Sequence, residues 1–185
     1  MADLLNNTNS NANNYGDDAI VTLSPREHIR LRPGMYVGVV GDGSQPDEAL
    51  YVLIKEVVDN SIDEFIMGAG RQIDITLADN VVTVRDYGRG IPLKSLAAAV
   101  GQMNTGGKYG GDAFKKTVGL NGVGVKAVNM LSSEFTARSV RDGEARTVTF
   151  AKGLEQSDRW ESGVAEKNGT LISFRVDEEV FGQYA

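Results

Sequence analysis

The order of hydrophobic patterns in this chain predicts an α+β fold, a two-layer sandwich of helices on one mostly antiparallel sheet. Three observations carry this reading. An apolar stripe of helical period runs from Asp47 to Met67. Segments of alternating polarity are joined by the short turns Asp79-Asn80 and Asp142-Gly143, which make antiparallel hairpins. Helices and strands succeed each other with no internal repeat.

The elements follow in order. Residues 1–14 are polar and asparagine-rich, from Asn6 to Asn14, and are expected to be disordered. One folded domain is expected over 15–185. Ser24-Pro25-Arg26-Glu27 has the form of a capping box with proline at the first helical position. The short helix it starts, which carries His28, is expected to stop near Arg32-Pro33-Gly34. The helix from Asp47 to Met67 ends at Gly68 and presents Leu50, Leu53, Ile54, Val57, Val58, Ile62 and Phe65 as its apolar stripe. Glu56 and Asn60, one turn apart, share a face at the edge of that stripe, with Asp59, Asp63 and Glu64 close by.

Ile73, Ile75 and Leu77 alternate before the Asp79-Asn80 turn, and Val82 and Val84 alternate after it. Asp86 is in phase with the two valines, so its carboxylate faces the buried side of the sheet and needs a specific partner. Gly88 to Pro92 breaks the strand, and residues 93–100 can form a helix. Gly101 to Gly124 is glycine-rich, carries Lys108, Lys115 and Lys116, and reads as a mobile loop before a helix over Val125–Leu131. Phe135 to Arg141 and Ala145 to Phe150 form the second hairpin. Residues 151–169 read as irregular, with Trp160 as a packing residue. Asn168-Gly169 is a turn before a last strand in which Thr170 is in phase with Ile172, Phe174 and Val176.

Composition excludes several functions. The chain has 185 residues and no cysteine, so disulfides and thiolate metal sites are absent. A single histidine rules out a multi-histidine metal centre. The formal net charge of -6 is the wrong sign for a surface that grips duplex DNA. No run of about 18 apolar residues is present to span a membrane, and the first residues, with no basic stretch followed by an apolar one, are not expected to act as a signal peptide.

The polar residues left over suggest a nucleotide site. Gly119-Leu120-Asn121-Gly122-Val123-Gly124 directly precedes a helix, where exposed backbone N–H groups and the helix dipole favour phosphate. It is neither a Walker A loop nor a good dinucleotide fingerprint. Glu56 can accept a proton from water. The amide oxygen of Asn60 can ligate Mg²⁺, which takes few protein ligands alongside phosphates. Asp86 can accept from an exocyclic amine, which adenine carries and guanine lacks at that position.

The ordered segments Glu56-Val57-Val58-Asp59-Asn60-Ser61-Ile62-Asp63-Glu64, Asp86-Tyr87-Gly88-Arg89-Gly90-Ile91-Pro92, Gly106-Gly107-Lys108-Tyr109 and Gly119 to Val125 resemble the motifs of the GHKL ATPases. Arg32-Pro33-Gly34-Met35-Tyr36-Val37-Gly38 is similar to the B subunits of bacterial type IIA DNA topoisomerases within that superfamily. The resemblance covers about residues 15 to 176. It implies the GHKL fold and an enzyme, an ATP-dependent type II DNA topoisomerase whose ATPase subunit works with an A subunit on DNA in the cytoplasm.

By resemblance, Glu56 matches the general base, Asn60 the Mg²⁺ ligand and Asp86 the adenine reader, assisted by a water and Thr170. Arg89 matches an arginine over the adenine face, paired with Glu64, within the segment that continues through Gly90, Ile91 and Pro92. Lys108 and the amides of Gly119, Leu120, Asn121, Gly122, Val123, Gly124 and Val125 match the phosphate contacts. Tyr15 and Ile20 match arm residues that reach into a second B subunit when ATP closes the dimer. Arg141 matches a rim residue that holds competitive ATP-site inhibitors. The expected ligands are therefore ATP and Mg²⁺.

Three positions depart from the pattern: Asn121 stands where a histidine is common, Val118 where a glycine is, and Tyr87 where an aspartate is. The short stretch between Pro92 and Gly106 is more like some topoisomerase IV B subunits, although the residues leave gyrase and topoisomerase IV both open. The resemblance also implies a transducer domain after Ala185 whose lysine meets the γ-phosphate, so the chain as it stands is expected to be a monomeric, slowly hydrolysing part of a larger subunit. The alternative is a nucleotide-gated dimerisation clamp of the chaperone or mismatch-repair type, against which the Arg32–Gly38 motif and the Lys108 loop argue. A histidine kinase would need a substrate-histidine helix, a setting His28 lacks, and a non-enzymatic adenine-nucleotide sensor leaves Glu56 without a purpose.

Overall fold

The computed structural model describes residues 23–102 and 123–184. Six strands form one sheet in the order β1-β2-β6-β3-β4-β5, and every neighbouring pair is antiparallel. The strands are β1 (Ile73–Ala78), β2 (Val81–Asp86), β3 (Ser132–Arg141), β4 (Glu144–Ala151), β5 (Leu154–Ser162) and β6 (Gly169–Val176). The helices are α1 (Pro25–Leu31), α2 (Gly34–Val37), α3 (Ala49–Ile66), α4 (Leu96–Gly101), α5 (Gly124–Met130) and α6 (Glu178–Phe181), with a 3-10 turn at Leu93–Ser95. The predicted α+β sandwich is the observed one.

The hairpin turns share one backbone solution. Asp79-Asn80, Asp142-Gly143 and Lys152-Gly153 all have positive φ at both central residues, the geometry that matches the twist of the strands they join. The capping box is present in full: Glu27 N–H donates to the Ser24 hydroxyl, and Ser24 N–H donates to the Glu27 carboxylate. Gly68, at φ +83°, follows the last turn of α3 as predicted.

The core lies between the sheet and the helices. Across the sheet, Val84 sits opposite Ile172 and Phe135 opposite both Phe174 and Phe150. From α3 the layer receives Ala49, Leu53, Val57 and Ser61, spaced four apart. Ile62 and Phe65, expected in that stripe, are exposed instead. Phe65 continues the four-residue row of Ala49, Leu53, Val57 and Ser61, but it lies in the last turn of α3, where the row is no longer covered.

Two other expectations need correction. Residues 151–169 are not irregular, because β5 runs through Leu154–Ser162 and pairs with β4 along its length. It is an edge strand whose residues are nearly all exposed, so it shows no apolar alternation. Trp160 is half exposed and lies over the Arg146 guanidinium, 4.8 Å away, rather than packing in the core. The helix α1 stops at Leu31, with Arg32 as its C-cap, as expected, and a separate short helix, α2, begins at Gly34. Among the described residues, no helix is long and apolar enough to cross a membrane.

Candidate functional site

β2 ends at Asp86, where the chain leaves the sheet. Strand alternation puts Asp86 on the face of Val82 and Val84, and it is buried. Its Oδ1 accepts from the backbone N–H of Gly88 at 2.9 Å and of Thr170 at 3.1 Å. Burial pushes the Asp86 carboxyl above the ordinary aspartate value, and these two N–H donors pull against that rise. Both bonds fall on one oxygen. Among the described residues Oδ2 has no partner, so this buried carboxylate retains an open acceptor.

The loop after Asp86 is held from the sheet side. The Ile91 N–H donates to the Thr170 Oγ1 at 3.2 Å, and the buried Ser139 hydroxyl donates to the Ile91 carbonyl at 2.7 Å. Arg141 donates to the Gly90 carbonyl at 3.3 Å. Gly90 has φ +77°, and a Cβ there would lie 2.7 Å from the Val140 carbonyl, so the position excludes any side chain. Further along, buried Arg146 donates to the Leu93 and Lys94 carbonyls and pairs with Asp158, which anchors the 3-10 turn after Pro92.

Glu64, near the end of α3, closes the other side of this loop. It accepts from the backbone N–H of Arg89 at 3.0 Å and from the Arg89 guanidinium at 2.7 and 3.2 Å. The hydrogen bond from the Arg89 side chain holds the Glu64 carboxyl below the usual glutamate range. Arg89 keeps about half of its side chain in solvent. The predicted Glu64–Arg89 pair is thus formed.

Glu56 and Asn60 lie one turn apart on α3, half-buried and exposed respectively. Among the described residues neither side chain makes a hydrogen bond. α3 packs along α5 so closely that a Cβ added to Gly124 would overlap the Glu56 carboxylate. The acidic face continues to Asp63, whose carboxyl is pushed up by burial and by the charges of Asp59 and Glu64.

A cavity of about 220 Å³ opens beside Asp86, with Ser61, Phe65, Ile73 and Gly88 in its walls. It is smaller than a typical nucleotide pocket of about 300–1,000 Å³. Among the described residues its walls include neither Glu56 and Asn60 nor Arg89, Ile91 and Thr170.

The structure therefore gathers Glu64, Asp86, Arg89, Gly90, Ile91, Arg141 and Thr170 around one loop, and brings Glu56 to the start of α5. Pro92 is exposed at the end of the loop, and Val123 and Val125 flank Gly124 at the helix start. Tyr15, Ile20, Lys108, Gly119, Leu120, Asn121 and Gly122 lie outside the described residues. Sequence reasoning missed Ser139 and Arg146. Ser139 is in phase with Phe135 and Ala137, the same polar-in-apolar signal that singled out Asp86 and Thr170.

Comparison with known proteins agrees with this geometry. Over 172 residues the chain is 53% identical to the topoisomerase IV B subunit of Borreliella burgdorferi, covering 93% of this chain and 28% of that protein. It is 37% identical over 181 residues to the gyrase B subunit of Staphylococcus aureus, covering 93% of this chain and 27% of that one. The chain thus spans less than a third of these relatives. The 43K ATPase domain of Thermus thermophilus gyrase B, solved in complex with an aminocoumarin, superposes with a TM-score of 0.70 at 28% identity, over 86% of this chain and 42% of that one. Residues 45–179 match the model of the histidine kinase-, DNA gyrase B- and HSP90-like ATPases. That span runs through α3, the Asp86 loop, α5 and β6, the elements that assemble the site, and the chain belongs to this ATPase family.

Proposed function

We propose that this domain binds and hydrolyses ATP to drive DNA strand passage, as part of the B subunit of a cytoplasmic type IIA topoisomerase acting with an A subunit. The observation that carries the reading is the arrangement at Asp86. One carboxylate oxygen is satisfied by two backbone N–H groups and the other, among the described residues, is open. Beside it, the Thr170 hydroxyl accepts from Ile91 N–H, which leaves its own proton free to donate. An open acceptor next to a free donor is complementary to the exocyclic amine and ring nitrogen of adenine.

Glu56 then serves as general base, taking a proton from the water that attacks the γ-phosphate. The amide oxygen of Asn60 is exposed and without a described partner, which fits a cation that takes one or two protein ligands plus phosphates. Mg²⁺ bound there would neutralise charge on the phosphate oxygens. Arg89, held by Glu64, lies over the base. Lys108 and the backbone from Gly119 to Val125 hold the phosphates. Tyr15 and Ile20 reach a second B subunit on closure, and Arg141 stands at the rim where competitive inhibitors dock.

The higher identity to a topoisomerase IV B subunit than to gyrase B, 53% against 37%, supports the topoisomerase IV type. The test pairs the full-length subunit with its A subunit. ATP-dependent decatenation and relaxation without supercoiling are expected. Supercoiling would redirect the assignment to gyrase, and the absence of any ATP-dependent change in DNA topology would overturn it.

A further inference from the structure

We propose that Ser139 is a positioning residue for base recognition, an inference that rests on the reading of Asp86 as the adenine contact. The backbone of Ile91 is clasped on both sides of its Cα: its N–H donates to the Thr170 Oγ1 at 3.2 Å, and its carbonyl accepts the Ser139 hydroxyl at 2.7 Å. Ser139 and Thr170 sit directly opposite each other in the β3–β6 register. Two adjacent strands thus reach up with one hydroxyl each and hold one residue of the loop.

The consequence reaches Asp86 through Thr170. Thr170 binds Ile91 with its side chain and Asp86 with its backbone N–H. With the Ile91 N–H on its oxygen, the hydroxyl is held in place by the loop and keeps its own proton for another acceptor. Ser139 keeps that N–H aimed by fixing the carbonyl of the same residue. Ser139 is fully buried, with no solvent to replace the bond, and a Cβ added at Gly90 would come within 2.9 Å of its hydroxyl oxygen. Removing the hydroxyl therefore leaves the Ile91 carbonyl without this donor and lets the Ile91 residue rotate away from Thr170.

The test compares Ser139→Ala and Ser139→Thr with the unaltered chain. Binding of a non-hydrolysable ATP analogue and of its GTP counterpart is measured by calorimetry, and melting is followed in parallel. The expected result is a roughly 5- to 10-fold loss of adenine-nucleotide affinity in S139A, the size of one buried hydrogen bond. The guanine analogue, which does not use the Asp86 contact, should be weakened less, and S139T should restore most of the loss. Equal affinities in S139A and the unaltered chain would overturn the proposal. So would an equal loss for both analogues, or a loss of cooperative melting in S139A, because either would assign the hydroxyl to general stability. If the unaltered chain itself binds neither analogue, the nucleotide reading fails instead.

Discussion

On the base side of the proposed site, Asp86, Thr170, Ile91 and Gly90 are joined by the fold's own hydrogen bonds, whereas on the phosphate side Glu56 and Asn60 have no described partners. Each base-side bond is made by a strand residue or a loop fixed to a strand, with Ser139, Thr170 and Arg141 supplying the anchors. The phosphate-side groups come from helix faces, where α3 presents Glu56 against the start of α5. The difference follows from what each side must do. A base is read by fixed donors and acceptors, which gain most when they are ordered before the ligand arrives. A reacting phosphate needs a base and a cation ligand that are not already satisfied by the protein, because an internal bond would have to be broken first.

The largest effect should come from the phosphate side. Glu56→Gln keeps the size of the side chain and removes its basicity, so nucleotide affinity should persist while steady-state ATP turnover falls by about 10²- to 10⁴-fold. Turnover within a few-fold of normal would place the base elsewhere.

A smaller loss is expected from Gly124→Ala. The added methyl overlaps the Glu56 carboxylate and must displace it, although alanine suits a helix better than glycine. Turnover should drop by up to about 10²-fold, the scale of a misplaced catalytic group, with no fall in melting temperature. A variant that turns over normally would show that Glu56 has room to act from another rotamer.

On the base side, Asp86→Asn should cost adenine-nucleotide binding about 1.5–3 kcal/mol, measured by calorimetry. The pH dependence sharpens this. The Asp86 carboxyl lies above the ordinary 3.8, so on acidification the folded chain takes up its proton before the unfolded chain does. For this group alone, folding stability rises as pH falls through the raised value, while ligand affinity falls because the protonated oxygen no longer accepts. Affinity that does not fall as the carboxyl is protonated would count against Asp86 as the contact.

The smallest effect belongs to Glu64→Gln. Arg89 is half exposed, so breaking the pair should change stability by only about 0.2–1 kcal/mol at neutral pH. Glu64 has a lowered pKa, so its contribution is present above the ordinary 4.5 and is lost as pH falls through the lowered value. Denaturant melts at pH 7 and at successively lower pH check this: the gap between the variant and the unaltered chain should narrow as pH falls below the ordinary 4.5. A deficit of several kcal/mol would make the pair a keystone of the loop rather than a surface contact.

Periodicity and turn chemistry were enough to read the helix of Glu56 and Asn60, the two hairpins, and the inward direction of Asp86 and Thr170. These are local properties: a side chain's face follows from its phase in a strand or helix, and a turn from the φ its residues tolerate. Tertiary structure alone decided the partners. Nothing within 80 residues of Asp86 says that the Thr170 N–H will meet its carboxylate, or that Ser139 will lie opposite Thr170. The β5 strand escaped because an exposed edge needs no apolar pattern, its stability coming from backbone pairing with β4. Ile62 and Phe65 were misassigned for the converse reason. Their helical phase fits a stripe, but burial depends on whether a sheet lies beneath, and the sheet's extent is settled by long-range strand pairing rather than by α3 itself.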